Sequence, residues 1–324
     1  MITAYLNRNK IESHIITTEN EALIHEALWI DLLTPTKDEE ALIEKHLHLE
    51  IPTREEMVEI EISSRLYKDN GGLYMTATMI AQSSSAEPQH DPVTFVLMSQ
   101  RLITIRYIEP QSFKMLSSHI RKMDKEDLNA ICLLTELLDA TVDRLADTLE
   151  LVSYRLDDYS KTIFKTDPND GNKLDYRHLM HIIGANADLN TNARESLVTF
   201  NRLVAFFEKA VSAKIQDDER RLRIIALSKD IISLSDHANF LSTKINFLLD
   251  ATLGMVSIEQ NNIIKIFSVA AVIFLPPTLV ASIYGMNFAF MPELSWKYGY
   301  VFAIGMILFA AWLPYKYFKH RKWL

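Results

Sequence analysis

The sequence predicts an α+β domain at the N-terminus, long stalk helices after it, and two transmembrane helices near the C-terminus. Three observations carry this reading. β-Branched and aromatic runs alternate with a helical stretch over the first 125 residues, apolar heptads follow, and two uncharged eighteen-residue runs come after Lys265. Charge divides along the same line. From Lys265 onward six Lys or Arg stand against one acid, a net +5; the whole chain carries −8, so residues 1–264 carry −13.

Residues 1–125 form the first expected domain. LWIDLLTP, PVTFVLM and RLITIRYIE have the β-branched and aromatic content of strands, and GLYMTATMIAQ reads as another after the turn KDNGG. TPTKDEEALIEKHL opens with a Thr–Pro start signal and early acids, then takes helical spacing. No His, Asp or Ser stands at a spacing that pairs a nucleophile with a base, so no enzyme is predicted. The acidic body argues against nucleic acid, whose phosphates call for Lys and Arg. It is read first as a solvated surface, and second as one that tolerates metal cations. Cys132 is the single cysteine, and the opening MITAYLNRNK lacks the apolar core of a signal peptide. Both features fit a reducing cytoplasm.

Residues 126–264 form the expected stalk. Leu138, Leu145, Val152 and Tyr159 recur every seven residues, interleaved with Val142, Leu149, Leu156 and Ile163. This is a heptad seam, and TDPNDGN interrupts it. A second seam steps by three and four through Ile224, Leu227, Ile231, Leu234, Ala238, Leu241, Ile245, Leu248, Thr252 and Met255. It runs almost directly into the first uncharged run, which predicts one helix passing from the cytoplasm into the membrane. The seams are read as core packing and contact between copies.

Residues 265–324 form the expected membrane domain. Ile266 to Ile283 and Tyr298 to Tyr315 are each eighteen residues without charge. A helix of that length rises about 27 Å, close to the thickness of the hydrocarbon layer. The spans are placed at about 266–284 and 298–315, with an outer loop at 285–297. The tail 316–324 carries Lys316, Lys319, Arg321 and Lys322, whereas the loop has only Glu293 and Lys297. That asymmetry puts both termini in the cytoplasm. Tyr284, Phe288, Trp296 and Tyr298 would sit at the outer headgroups, with Tyr315, Tyr317 and Trp323 at the inner ones.

The first span has a polar stripe. Asn261, Ile264, Ser268, Ala271, Leu275, Thr278, Ser282 and Gly285 follow alternating steps of three and four, placing them on one helix face. Close helix packing is one reading of such small residues; a water-filled path is the other, and the stripe leads to Gly285 and Asn287. Two spans cannot enclose a path, so a pore requires several copies in a ring, for which the heptad stalk offers an association surface. Pro276 and Pro277 would leave the carbonyls of Val272 and Ile273 without helical donors.

Tyr284–Gly285–Met286–Asn287, then Met291–Pro292–Glu293–Leu294, a second span and a KWL terminus together resemble the CorA family of magnesium transporters. IEQNNIIKIFSVAAVIFLPPTLVASIYGMNF is similar to the proteins of Gram-negative bacteria in that family. The close likeness covers about the last 70 residues, with Trp29–Leu32 and the stretch from Glu59 as weaker echoes.

The resemblance implies a homopentameric, funnel-shaped channel in the inner membrane, embedded in lipid, that carries Mg²⁺ and often Co²⁺ and Ni²⁺. It implies no cofactor beyond the transported ion, with regulatory Mg²⁺ binding acids between subunits. Gly285, Met286 and Asn287 then correspond to the selectivity motif, and the stripe from Asn261 to Ser282 to the pore lining. Asp250 in FLLDAT matches one regulatory position, although the sequence identifies no partner carboxylate for it.

The chemistry agrees, because Mg²⁺ holds its water shell tightly and neutral amide oxygens can bond that shell without stripping it. Ile264 and Leu275 are read either as a water-excluding constriction or as packing. Two rivals are a zinc transporter of the same superfamily, in which Ile usually replaces Met286, and a non-conducting membrane-anchored coiled-coil scaffold. Many relatives have an acid where this chain has Ala289, leaving Glu293 as the one outer-loop carboxylate. Ala289→Asp is therefore expected to raise cation uptake at low ionic strength, with the gain screened away by added salt.

Overall fold

A computed structural model of the chain describes residues 1–8, 11–85, 87–122, 128–165, 175–211, 218–287, 291–321 and 323. The chain divides into two compact units, Met1–Leu249 and Asp250–Leu324.

The first unit is built on a seven-stranded sheet in the order β2-β1-β3-β7-β6-β5-β4. Its strands are β1 Ile2–Asn7, β2 Ile11–Ile15, β3 Ala27–Leu33, β4 Leu66–Asp69, β5 Gly72–Ala81, β6 Gln89–Leu97 and β7 Leu102–Arg106. Neighbours are antiparallel except β3 and β7, which pair in parallel with Asp31 opposite Thr104. The expected strands in LWIDLLTP, GLYMTATMIAQ, PVTFVLM and RLITIRYIE are β3, β5, β6 and β7. KDNGG is the β4–β5 turn, with Asn70 at φ 46° and Gly71 at φ 79°. Two left-handed residues in a two-residue loop suit the right-handed twist of the strands, which explains the Asn-Gly pair.

Side chains alternate across the pleat, so the sheet needs cover on both faces. One face packs Ile2, Leu6, Ile30, Leu32, Ile103 and Ile105 against Ile43 of helix α2 (Lys37–Leu47) and Met57 of α3 (Arg54–Val58). Both helices start with a capping box, Thr36 with Glu39 and Thr53 with Glu56, which satisfies amides the helix cannot. Two single-turn helices flank this layer, α1 Leu23–Glu26 and α4 Ile62–Arg65. Helices α5 (Gln111–His119), α6 (Ala130–Lys165) and α7 (Tyr176–Val211) complete the unit, with α6 and α7 packed on the sheet. β5 extends beyond β4, and there the Thr78 amide donates to Thr199 Oγ1 of α7 at 3.0 Å. A helix thus closes a sheet edge that would otherwise invite pairing.

A polar network lies inside the unit. Asp31 receives the Arg106 guanidinium through Nη2 at 2.8 Å and Nε at 3.0 Å, and the Thr104 hydroxyl at 2.7 Å. Trp29 Nε1 donates to Thr104, and Arg106 Nη1 to the Ile108 carbonyl. The guanidinium also lies over the Phe113 ring. Asp31 and Arg106 are both buried.

The last helix of the unit is α8, Asp218–Tyr284, which continues into the second unit without a break. Arg223 bonds Glu136 and Asp139 of α6, and Lys244 bonds Asp157. Contacts advance together along both chains, so α6 and α8 run parallel. Asn190 of α7 donates to the Ala238 carbonyl and Ser242 of α8.

These contacts bear out the seams as core packing and correct their reading as contact between copies. Leu138, Leu145 and Val152 of α6 and Ile224, Leu227, Ile231, Ala238, Leu241, Ile245 and Leu248 of α8 are buried within a single chain. The heptad seams are therefore intramolecular core, not a free association surface. Exposed apolar side chains on α8, among them Leu222, Ile232, Phe240 and Phe247, lie off the seam.

Arg106→Met strands a buried carboxylate and is expected to cost about 3–5 kcal/mol, read as a lower thermal midpoint of the full-length protein. Replacing Asp31 by Leu in the same chain should recover much of that loss.

Candidate functional site

The second unit contains the two helices whose length and composition allow a membrane crossing, the apolar end of α8 and α9 (Gly299–His320). α8 ends at Tyr284, a short 3-10 helix covers Pro292–Ser295, and α9 runs from Gly299 to His320, five residues past the expected end of the second span. Phe288 and Ala289 lie outside the described residues, as does the side chain of Glu293.

On α8, Asn261, Ile264, Ser268, Ala271, Leu275, Thr278 and Ser282 are all exposed, as are Gly285, Met286 and Asn287 beyond its end. The less exposed residues are Val269, Ala270, Ile273, Pro276, Pro277, Val280 and Tyr284. At about 100° per residue the two sets occupy roughly opposite faces. The polar stripe is thus bare in a single chain, as are Ile263, Ile266, Phe274 and Ile283 on other faces of the same helix. Helix geometry persists through Pro276 and Pro277, both inside α8.

The stripe has a defined hydrogen-bond polarity. Ser268 Oγ donates to the Ile264 carbonyl at 2.8 Å, and Thr278 Oγ1 to the Phe274 carbonyl at 2.7 Å. Each hydroxyl commits its proton to its own helix and leaves lone pairs outward. Such a surface accepts hydrogen bonds, which suits the water hydrogens around a cation. At the end of α8, the Gly285 amide donates to the Ala281 carbonyl and the Met286 amide to the Ile283 carbonyl. A Cβ on Gly285 would sit 3.3 Å from the Ala281 carbonyl oxygen, a tight approach that glycine avoids. The helix ends there, and Asn287 follows without regular structure.

Charge collects where α9 ends. Lys316 lies over Trp312, Lys319 over Tyr315, and Arg321 over Tyr317. Lys265 of α8 lies over Trp323, which stacks on Phe318. Basic heads beside aromatic rings are the arrangement expected at a membrane interface.

A family model for the CorA-like Mg²⁺ transporter protein matches residues 25–320. The chain belongs to the CorA-like family. The magnesium transport protein CorA of Escherichia coli strain K12 is 34% identical over 324 residues, covering 100% of both chains. That of Salmonella typhimurium strain LT2 is 34% identical over 325 residues, again with 100% of each chain covered. Among solved structures, the complete CorA magnesium transporter from Methanocaldococcus jannaschii superposes with a TM-score of 0.74 at 17% identity, covering 100% of this chain and 99% of that one. Full-length CmaX gives 0.67 at 15% identity, covering 99% and 97%. The cytoplasmic domain of ZntB from Vibrio parahaemolyticus gives 0.58 at 12%, covering 79% and 97%. At these identities the superpositions establish a shared fold, which in the two full-length structures takes in the sheet domain, the long helices and the two C-terminal apolar helices.

Asp250 is exposed, and among the described residues no three His, Cys, Asp or Glu converge to hold a metal ion. The structure does reveal an acidic patch that sequence reading overlooked. Glu136, Asp139, Asp143 and Asp147 line α6 at steps of three, four and four, a spacing visible in the sequence. Desolvation pushes the Asp143 carboxyl above its ordinary range, and Asp139, Asp147 and Asp230 add to the rise while Arg223 opposes it.

A carboxyl raised in the fold binds more protons there than in the unfolded chain, so stability falls as pH rises through its titration. Ionised Asp143 therefore destabilises the fold at neutral pH. Asp143→Asn should raise the thermal midpoint at pH 7, with the gain shrinking as pH drops below the carboxylate range.

Proposed function

We propose that the chain is a Mg²⁺ channel of the inner membrane that also admits Co²⁺ and Ni²⁺, working as a homopentamer with both termini in the cytoplasm. One observation carries the reading. One exposed face of α8 carries small and acceptor-bearing residues, with Ile264 and Leu275 among them, and ends on Gly285–Met286–Asn287, in a chain of the CorA-like family. Five copies would turn that face toward a shared axis and bury it there, with the opposite face left for the second span and lipid. Residues 1–125 and 126–264 would form the cytoplasmic sheet domain and stalk of a funnel, and residues 265–324 its membrane stem.

At the mouth, a ring of Asn287 amide oxygens and nearby backbone carbonyls bonds the water shell of the ion. Octahedral Mg²⁺ loses water reluctantly, so recognition through an intact shell avoids that cost. Neutral oxygens also bind moderately, as conduction requires, where a carboxylate ring would hold a divalent ion too long. Inside, Ser268 and Thr278 offer lone pairs to the same shell, and Asn261 provides an amide near the inner end. Ala271 and Ser282 keep the wall narrow without bulk, while Ile264 and Leu275 form apolar rings that close the path by excluding water. Glu293 in the outer loop draws cations to the mouth. Asp250 would hold a regulatory Mg²⁺ together with acids of a neighbouring copy, closing the pore when the cytoplasm is replete.

The test is Mg²⁺ entry into liposomes containing the purified protein, read with an internal Mg²⁺ dye. Wild-type protein should load the vesicles, and Asn287→Ala should fall to near the protein-free rate. Undiminished entry through Asn287→Ala would remove the proposed filter, and no entry with wild type would favour the scaffold reading.

A further inference from the structure

Helices α1 and α2 meet through a pair of imidazoles. His25 Nε2 of α1 lies 3.1 Å from His46 Nδ1 of α2, with the rings edge to face at 67°. The other nitrogen of His46, Nε2, lies 3.3 Å from Glu21 Oε2. Arg101 anchors the backbone beneath the pair, donating to the Ile24 carbonyl at 2.9 Å and the His25 carbonyl at 3.1 Å. His25 is exposed and His46 partly so, which leaves the pair open to solvent.

We propose that His25 and His46 form a site for an imidazole-preferring divalent cation such as Ni²⁺, Co²⁺ or Zn²⁺, with Glu21 as the supporting carboxylate. Two nitrogens bound at about 2.0–2.1 Å to one tetrahedral ion stand roughly 3.3–3.4 Å apart. The two facing nitrogens are already within a few tenths of an ångström of that separation. In the tautomer that donates Nε2–H to Glu21, the His46 Nδ1 lone pair is directed at His25. A carboxylate behind a ligating imidazole serves this purpose in metal sites generally. No third side chain among the described residues completes the set, so water fills the remaining positions. Mg²⁺ prefers oxygen and would not compete well for two neutral nitrogens. The site therefore answers to a different class of ion from the one the oxygen-lined stripe suits, and does not depend on the pore reading.

The experiment is Ni²⁺ titration calorimetry on the full-length protein in detergent, without a polyhistidine tag and with Mg²⁺ in excess to occupy oxygen sites. Wild type should bind one Ni²⁺ per chain at this site. His25→Ala and His46→Ala should each lose that ion, and Glu21→Gln should weaken it by about tenfold or more. Ni²⁺ should also raise the thermal midpoint of wild type and leave both His variants unmoved, because a ligand bound only by the fold stabilises it. Electron paramagnetic resonance of Cu²⁺ on wild type adds a readout free of variant folding, and should show two coupled imidazole nitrogens. Unchanged Ni²⁺ stoichiometry in either His variant, or coupling to fewer than two nitrogens, would overturn the site.

Discussion

Two apolar helices joined by a short loop cannot shelter one another. In the most apolar windows of α8 and α9 only 6% of the residues are buried within the chain. Apart from the carbonyls that Pro276, Pro277 and Pro314 leave without a donor, their backbones are satisfied because a helix closes its own hydrogen bonds, the condition for crossing lipid. Their side chains are not so served. A face of Leu, Phe and Val can rest in lipid tails, but a face carrying Asn261, Ser268, Thr278 and Ser282 calls for water or other polar groups. α8 therefore carries a polar stripe that its own chain leaves exposed.

The soluble unit solves a different problem. Its parallel β3–β7 pair places Asp31, Thr104 and Arg106 together inside the fold, where an unpaired charge would be severely penalised. Five donors and acceptors meet there in one connected network, including the Trp29 indole. α6 and α8 bury their heptad seams within the same chain. This matters for assembly, since apolar residues that read as oligomer contacts are already occupied.

Hydrogen-bond polarity links helix geometry to ion chemistry. Ser268 and Thr278 turn their protons inward to carbonyls four residues back, a local preference of hydroxyls in helices. The outward surface is consequently rich in acceptors without carrying charge. Aromatic rings paired with Lys265, Lys316, Lys319 and Arg321 mark the other end of the same helices.

Much of this was legible in the amino-acid order. Span lengths, the Asn-Gly turn, four of the strands, the helix from Thr36 and the stripe ending at Gly285 all follow from patterns within a few turns of chain. Periodicity and propensity are local properties, so local reading recovers them. The short strands β1 and β2 escaped it, because their pairing is set by β3 and not by their own composition. The Asp31–Arg106 pair, 75 residues apart, the burial of the seams within one chain, and the meeting of His25 with His46 needed the tertiary structure. Each depends on which distant segments the sheet brings side by side, and no spacing along the chain encodes that choice.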